Sequence, residues 1–255
     1  MKRKLSEIFY SLLGLVIKTR LAFFKIKNSS KPKLFIFTDS RGFNVNKITH
    51  KYNAFSWYTK YFVKNYCTDA YVCPERTTTV YDFLEQYHNS KKDYKWVIAH
   101  IGVVDFAPRP ISQNIQILKS KKDKIIRFFG KETYQKLINF KGYEILYNGE
   151  KTASTVPEFM VEKVVEEFNK IENLIYVSCN AVDLNWVGNY KERPKNSTII
   201  IEKTNRLLTS LKTKNLVDMS KLTTNQIHEY TCDNVHLTEK GSSFILQQLK
   251  NIIEK

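Results

Sequence analysis

The chain has 255 residues, an ordinary apolar content of 42% and a net charge of +16. That length supplies a core for one large domain, or for a domain with an appendage. Cysteines 67, 73, 179 and 232 show no Cys-x-x-Cys spacing and no histidine cluster, which argues against a zinc site or a disulfide framework and suits reduced, buried thiols.

The charge is unevenly spread. Residues 1–33 carry nine Lys or Arg against the single acid Glu7, so half of the excess precedes the first strand. The same segment holds Leu5, Ile8, Phe9, Leu12, Leu13, Leu15, Val16, Ile17, Leu21, Phe23 and Phe24. Its longest apolar run, Ile8 to Ile17, falls short of the roughly 20 residues that cross a bilayer. No small-residue cleavage site follows Met1-Lys2-Arg3-Lys4, which argues against a signal peptide. The pattern predicts a basic amphipathic helix over residues 1–27 for an anionic membrane surface. The competing reading is a helix packed on the protein's own core or on a second subunit. Asn28 to Pro32 would link this segment, residues 1–30, to a domain spanning 31–255.

Lys33-Leu34-Phe35-Ile36-Phe37 reads as a buried strand, and the mixed spacing of apolar residues from Phe43 to Lys64 predicts a helix. Asp69 to Cys73 is a second strand, followed through Pro74 to Phe83 by another helix. Lys95 to Asp105 contains the most apolar strand, suited to the centre of a parallel sheet. Residues 106 to about 160 fit no strand of a minimal sheet. They contain a basic helical stretch, Ile115 to Lys141, then Gly142 to Glu150 as a hairpin or turn. An insertion leaving the end of a central strand stands where active-site lids occur. Its basic residues suit an anionic glycan, a lipid-linked pyrophosphate or a membrane face, or equally a solvated surface. Pro157 to Glu172 is an amphipathic helix, Asn173 to Ser178 a strand, Ser197 to Lys212 a helix, Leu216 to Asp218 a strand and Leu237 to Ile253 the closing helix. Five strands alternating with helices predict a three-layer α/β/α fold with a mainly parallel sheet.

Two short stretches carry chemistry. Thr38-Asp39-Ser40-Arg41-Gly42 puts Ser40 on the turn after the first strand, either as a helix cap or as an exposed nucleophile beside free N–H groups. Thr231 to Gly241 contains Asp233 and His236, and a serine needs a base that is held by an acid. The early Asp-Ser and the late Asp-x-x-His resemble the SGNH (GDSL-like) hydrolase superfamily. That resemblance implies a flavodoxin-like fold, an acyl-transfer mechanism with Ser40, His236 and Asp233 as the triad, and no cofactor or metal.

It also implies an oxyanion hole from the backbone of Ser40, of the residue at Thr77 and of Gly102. The chain departs from the family twice. No glycine lies between Gly42 and Gly102, so Thr77 stands at the second-block glycine, where any main-chain N–H can still donate. Gly102 and Asp105 match the third block, but its asparagine donor is Val104, and losing one such donor typically costs about 10²–10³ in rate. Arg109, between Pro108 and Pro110, is the candidate replacement, with Arg41 and Asp105 as further substrate-binding candidates. The run from His100 to Arg109 looks like superfamily members linked with bacterial surface polysaccharide.

The expectation is therefore an esterase or O-acyltransferase, for O-acetyl groups on a glycan, in the cytoplasm or on the inner face of its membrane. A degenerate relative that binds a glycan or scaffolds a partner enzyme is the alternative. A nucleic-acid binder lacks a recognisable reading module here, and no Gly-rich phosphate loop or dinucleotide fingerprint implies a nucleotide cofactor.

Overall fold

A computed structural model describes residues 2–45, 53–75, 77–90, 92–147, 149–186 and 198–255, with side chains from residue 12 onward. The N-terminal helix α1 (Lys2–Lys27) leads into β1 (Lys33–Thr38), which ends in a 3-10 turn at Ser40–Gly42. There follow α2 (Thr59–Asn65), β2 (Cys67–Val72), α3 (Val80–Ser90), β3 (Trp96–His100) and the short α4 (Val103–Phe106). The insertion comprises β4 (Arg109–Pro110), α5 (Ile111–Ser120), α6 (Lys122–Ile138), β5 (Ile145–Tyr147) and β6 (Glu150–Ala153). The chain closes with α7 (Glu158–Phe168), β7 (Leu174–Val177), α8 (Thr198–Ser210), β8 (Leu216–Val217), α9 (Thr224–Tyr230) and α10 (Glu239–Ile253).

Alternation along the strands builds three layers, because successive strand side chains point to opposite faces. Phe35 and Phe37 of β1 enter one core with Val97, Ala99, Leu174 and Tyr176, covered by α3, α7 and α8. Leu34 and Ile36 enter the other with Ile98, Ile175 and Val177, covered by Phe62 of α2 and by Ile245 and Leu249 of α10. Burial on both faces explains the continuous apolar runs of β1 and β3. The sheet is entirely parallel in the order β2-β1-β3-β7-β8, as the alternation of elements predicts. The order reverses between β1 and β3, and the crevice at their carboxyl ends is where such sheets bind ligands.

Two expectations need correction. Of the helix expected over Phe43 to Lys64, only α2 is helical near its end, and residues 46–52 lie outside the described residues. Asn53 Oδ1 takes the Phe55 N–H at 2.9 Å, and Trp57 has a φ of 44°, so the approach to α2 is a turn. The basic stretch expected as one helix is broken at Lys121 and kinked at Gly130, whose φ is 85°. The expected hairpin is present as β5 and β6, and β4 joins it in a separate antiparallel sheet.

The insertion is locked to the body. Lys121 and Lys124 both reach Asp82 of α3, at 2.8 and 2.6 Å, and both also meet Glu75. Lys203 of α8 is buried against Glu144, Ser154 Oγ and the Val156 carbonyl. Two of the cations that suggested an anionic ligand, Lys121 and Lys124, are thus engaged inside the protein.

Candidate active site

The site grows from the end of β1. Thr38 is in register with Val72 of β2 and His100 of β3, so the turns after all three strands leave one edge of the sheet. The Asp39 N–H donates to the His100 carbonyl at 2.9 Å and the Cys73 N–H to the Thr38 carbonyl at 2.8 Å. Gly42 is required by a close approach: a Cβ there would lie 2.0 Å from Thr38 Oγ1. Inside this turn Arg41 is 1% exposed. Its guanidinium grips both Asp39 oxygens, through Nε at 2.9 Å and Nη2 at 2.8 Å, and donates to the Ser178 carbonyl at 2.8 Å. The turn carrying Ser40 is therefore bolted to the exit of β7 by a buried ion pair. Arg41 was expected as a substrate ligand; its side chain is instead buried between Asp39 and the Ser178 carbonyl.

Ser40 remains partly exposed, and its Oγ lies 3.1 Å from His236 Nε2. His236 Nδ1 lies 2.7 Å from Asp233 Oδ2. Burial would push the Asp233 carboxyl up, but the His236 ring and the N–H groups of His236 and Val235 outweigh it and hold the group below its ordinary value. A carboxylate cannot donate, so His236 Nδ1–H must. The Nε2 lone pair then faces Ser40, and the hydroxyl donates to it. The loop itself is stapled: Thr231 bridges Leu237, the Cys232 N–H donates to the His236 carbonyl at 2.8 Å, and Asn180 Nδ2 donates to the Asn234 carbonyl at 2.7 Å. Asn234, with a left-handed φ of 67°, donates from its side chain to the carbonyls of Asp183 and Trp186. Asn180 and Asn234 were not singled out in the sequence; the Asn in Cys179-Asn180-Ala181, directly after a buried strand, was the available signal.

Gly102 follows β3 with a φ of 127°, and a Cβ there would come within 2.9 Å of Cys179 Sγ and 3.0 Å of the Tyr176 hydroxyl. Only glycine meets both conditions at that place. Among the described residues, the backbone N–H groups of Ser40, Thr77 and Gly102 have no protein acceptor. Ser40 and Thr77 are partly exposed and Gly102 is buried, and the three lie in the segments that follow the adjacent strands β1, β2 and β3. Val104 supplies no side-chain donor. Arg109 Nη2 donates to the Val104 carbonyl at 3.5 Å.

Asp105 also needs correction as a substrate ligand. It is 1% exposed, and its Oδ1 accepts the Val80 N–H at 2.9 Å, tying α4 to the start of α3. Burial pushes its carboxyl up to about 7 against that hydrogen bond, with the charges of Asp39 and Asp82 adding to the rise.

Beside the loop of Asp233 and His236, an open cleft of about 660 Å³ is lined by Asn44, Phe55, Trp57, Tyr58, Cys232 and Leu237 among others. Phe55 and Trp57 were read in the sequence as part of a helix, which hid them as lining residues. Among the described residues no cluster of His, Cys, Asp and Glu is arranged to hold a metal ion.

No family model and no curated protein matches the chain. Among solved structures it is similar to a lipase/acylhydrolase from Enterococcus faecalis, at 11% identity and a TM-score of 0.49, covering 88% of this chain and 95% of that one. An α/β hydrolase from the metagenome of Lake Arreo gives 14% and 0.46 over 86% and 94% of the two chains. An acetyl xylan esterase gives 12% and 0.42 over 87% and 99%. At these identities, what the site can do is argued from its own geometry.

Proposed function

We propose that the protein is a serine-dependent acyl-ester hydrolase or O-acyltransferase. The observation that carries this reading is the relay from Ser40 Oγ through His236 to an ionised Asp233, at 3.1 and 2.7 Å, on the carboxyl edge of the sheet. In the proposed reaction Ser40 Oγ attacks the ester carbonyl as its proton passes to His236 Nε2. The resulting oxyanion receives the N–H groups of Ser40, Thr77 and Gly102. His236 then protonates the departing alkoxide as the acyl-enzyme forms. Water, or a sugar hydroxyl, gives its proton to the same nitrogen and attacks the acyl group, releasing Ser40.

A glycan carrying O-acetyl groups is the proposed substrate class. The cleft supports it: the aromatic residues Trp57 and Tyr58 stand among Asn44, Asn53, Ser56 and Ser243, a mixture that suits a sugar ring. Arg109 is the proposed substitute for the donor missing at Val104. The second reading, a glycan-binding protein without catalysis, is favoured by Val104 and by Thr77, which stand where the resemblance expects an asparagine and a glycine.

Acetate release from an aryl acetate and from acetylated sugars, with and without a sugar acceptor, tests the proposal. Release abolished in Ser40→Ala supports hydrolysis, and acetylated acceptor in place of acetate supports transfer. Glycan binding with neither product, in folded protein, would favour the second reading.

A further inference from the structure

The N-terminal helix has two different faces. Its inner face is fastened to the domain. Ile17 is buried, and Leu21 and Phe24 pack on the cluster of Phe43, Ala54, Val63 and Val72. Lys25 meets Asp69, and Asn28 Nδ2 donates to the carbonyls of Lys64 and Tyr66 at 3.1 and 3.2 Å. Arg20 lies over the Phe55 ring at 4.4 Å. The competing expectation of a helix packed on its own core is therefore met by half of the helix.

The outer face is not covered. Leu12, Leu15, Val16, Phe23 and Ile26 are 53–75% exposed, and they make up five of the eight large apolar side chains exposed among the described residues. At about 100° per residue their spacing confines them to one stripe along the helix, opposite Ile17, Leu21 and Phe24. Lys18 borders the stripe on one side, and Arg20 and Lys27 border it on the other. Residues 8–33 contain no acid. Among the described residues no helix is long and apolar enough to cross a membrane.

We propose that this outer face seats the protein on an anionic lipid bilayer, with the stripe buried at the level of the headgroups and the flanking cations on lipid phosphates. The charge decides between occupants. Pairing the stripe with a second copy would bring Lys18, Arg20 and Lys27 against the same cations with no acid from residues 8–33 to neutralise them, whereas anionic headgroups supply that charge. The helix lies flat and stays rigidly joined to the domain through the inner face.

Co-sedimentation of the full chain with vesicles tests this, comparing mixed phosphatidylcholine and phosphatidylglycerol with phosphatidylcholine alone. Binding to the mixed vesicles is expected, weakening as salt rises, and at least about tenfold weaker for the double variant Phe23→Ser, Ile26→Ser, given the apolar area removed. The flank variant Lys18→Glu, Lys27→Glu loses the preference for anionic lipid and keeps the proposal testable if the apolar variant fails to fold. No binding by the wild type, or equal binding by both variants, would overturn the proposal. So would a dimer seen by analytical ultracentrifugation that the apolar variant disrupts while no lipid is bound.

Discussion

The turn that carries Ser40 and the outer face of α1 are built in opposite ways. At the turn, charges taken out of water are matched within the chain: Asp39 with Arg41, Arg41 with the Ser178 carbonyl, Asp233 with His236 and two backbone N–H groups. Along α1, five large apolar side chains stand in solvent with cations on either side. Buried polar groups with all their partners impose a single geometry, which an attacking hydroxyl needs. Exposed apolar surface imposes nothing inside the protein, so its use must come from outside it. The first region can be broken by removing one partner, and the second by changing side chains that nothing in the domain depends on.

The largest effect is expected from Ser40→Ala, which should reduce ester turnover by about 10⁴-fold or more while the thermal midpoint stays unchanged. Steady-state kinetics beside a thermal melt reads both. Arg41→Met should then cost roughly 3–5 kcal/mol of stability by denaturant unfolding, because Asp39 is left buried without its partner.

Asp105→Asn comes next and has the opposite sign. A carboxyl that titrates at about 7 in the fold, and near 4 when unfolded, binds more protons in the folded state across that interval. Wild-type stability should therefore fall as pH rises from about 4 to 7 and level off above. The amide still accepts the Val80 N–H but carries no charge, so the variant should gain up to about 4 kcal/mol over the wild type at pH 8 and nothing at pH 4. Unfolding curves at the two pH values check this. Val104→Asn, which restores a side-chain donor, should change turnover by less than about tenfold, because Arg109 is proposed to serve there; a rise of about 10²-fold or more would mean that the position lacks a donor. Smallest of all, Phe23→Ser with Ile26→Ser should shift stability by less than about 0.5 kcal/mol and leave turnover of a soluble ester untouched.

The sheet was legible in the sequence because its signals are local. Strands buried on both faces read as unbroken apolar runs, as in Leu34 to Phe37 and Val97 to Ile101. Ser40 and the Asp233/His236 pair each sit in a short motif at a strand or helix end. Arg41 was misread because exposure is the ordinary state of an arginine, and its burial depends on the Ser178 carbonyl, 137 positions away. Asp105 was misread for the same reason, its partner being the backbone N–H of Val80. The aromatic residues near Phe55 and Trp57 imitate helical spacing, and the Asn53 turn that interrupts them depends on a side chain bonding its own backbone. In the insertion, β4 is two residues long and includes Pro110, below what periodicity can reveal.

The central claim is an activated Ser40, and intact-mass labelling with a fluorophosphonate addresses it most directly. The account predicts one adduct per chain, located on Ser40, absent in Ser40→Ala and much slower to form in His236→Ala. A folded wild-type protein that takes up no label, or that is labelled equally after Ser40→Ala, would contradict it.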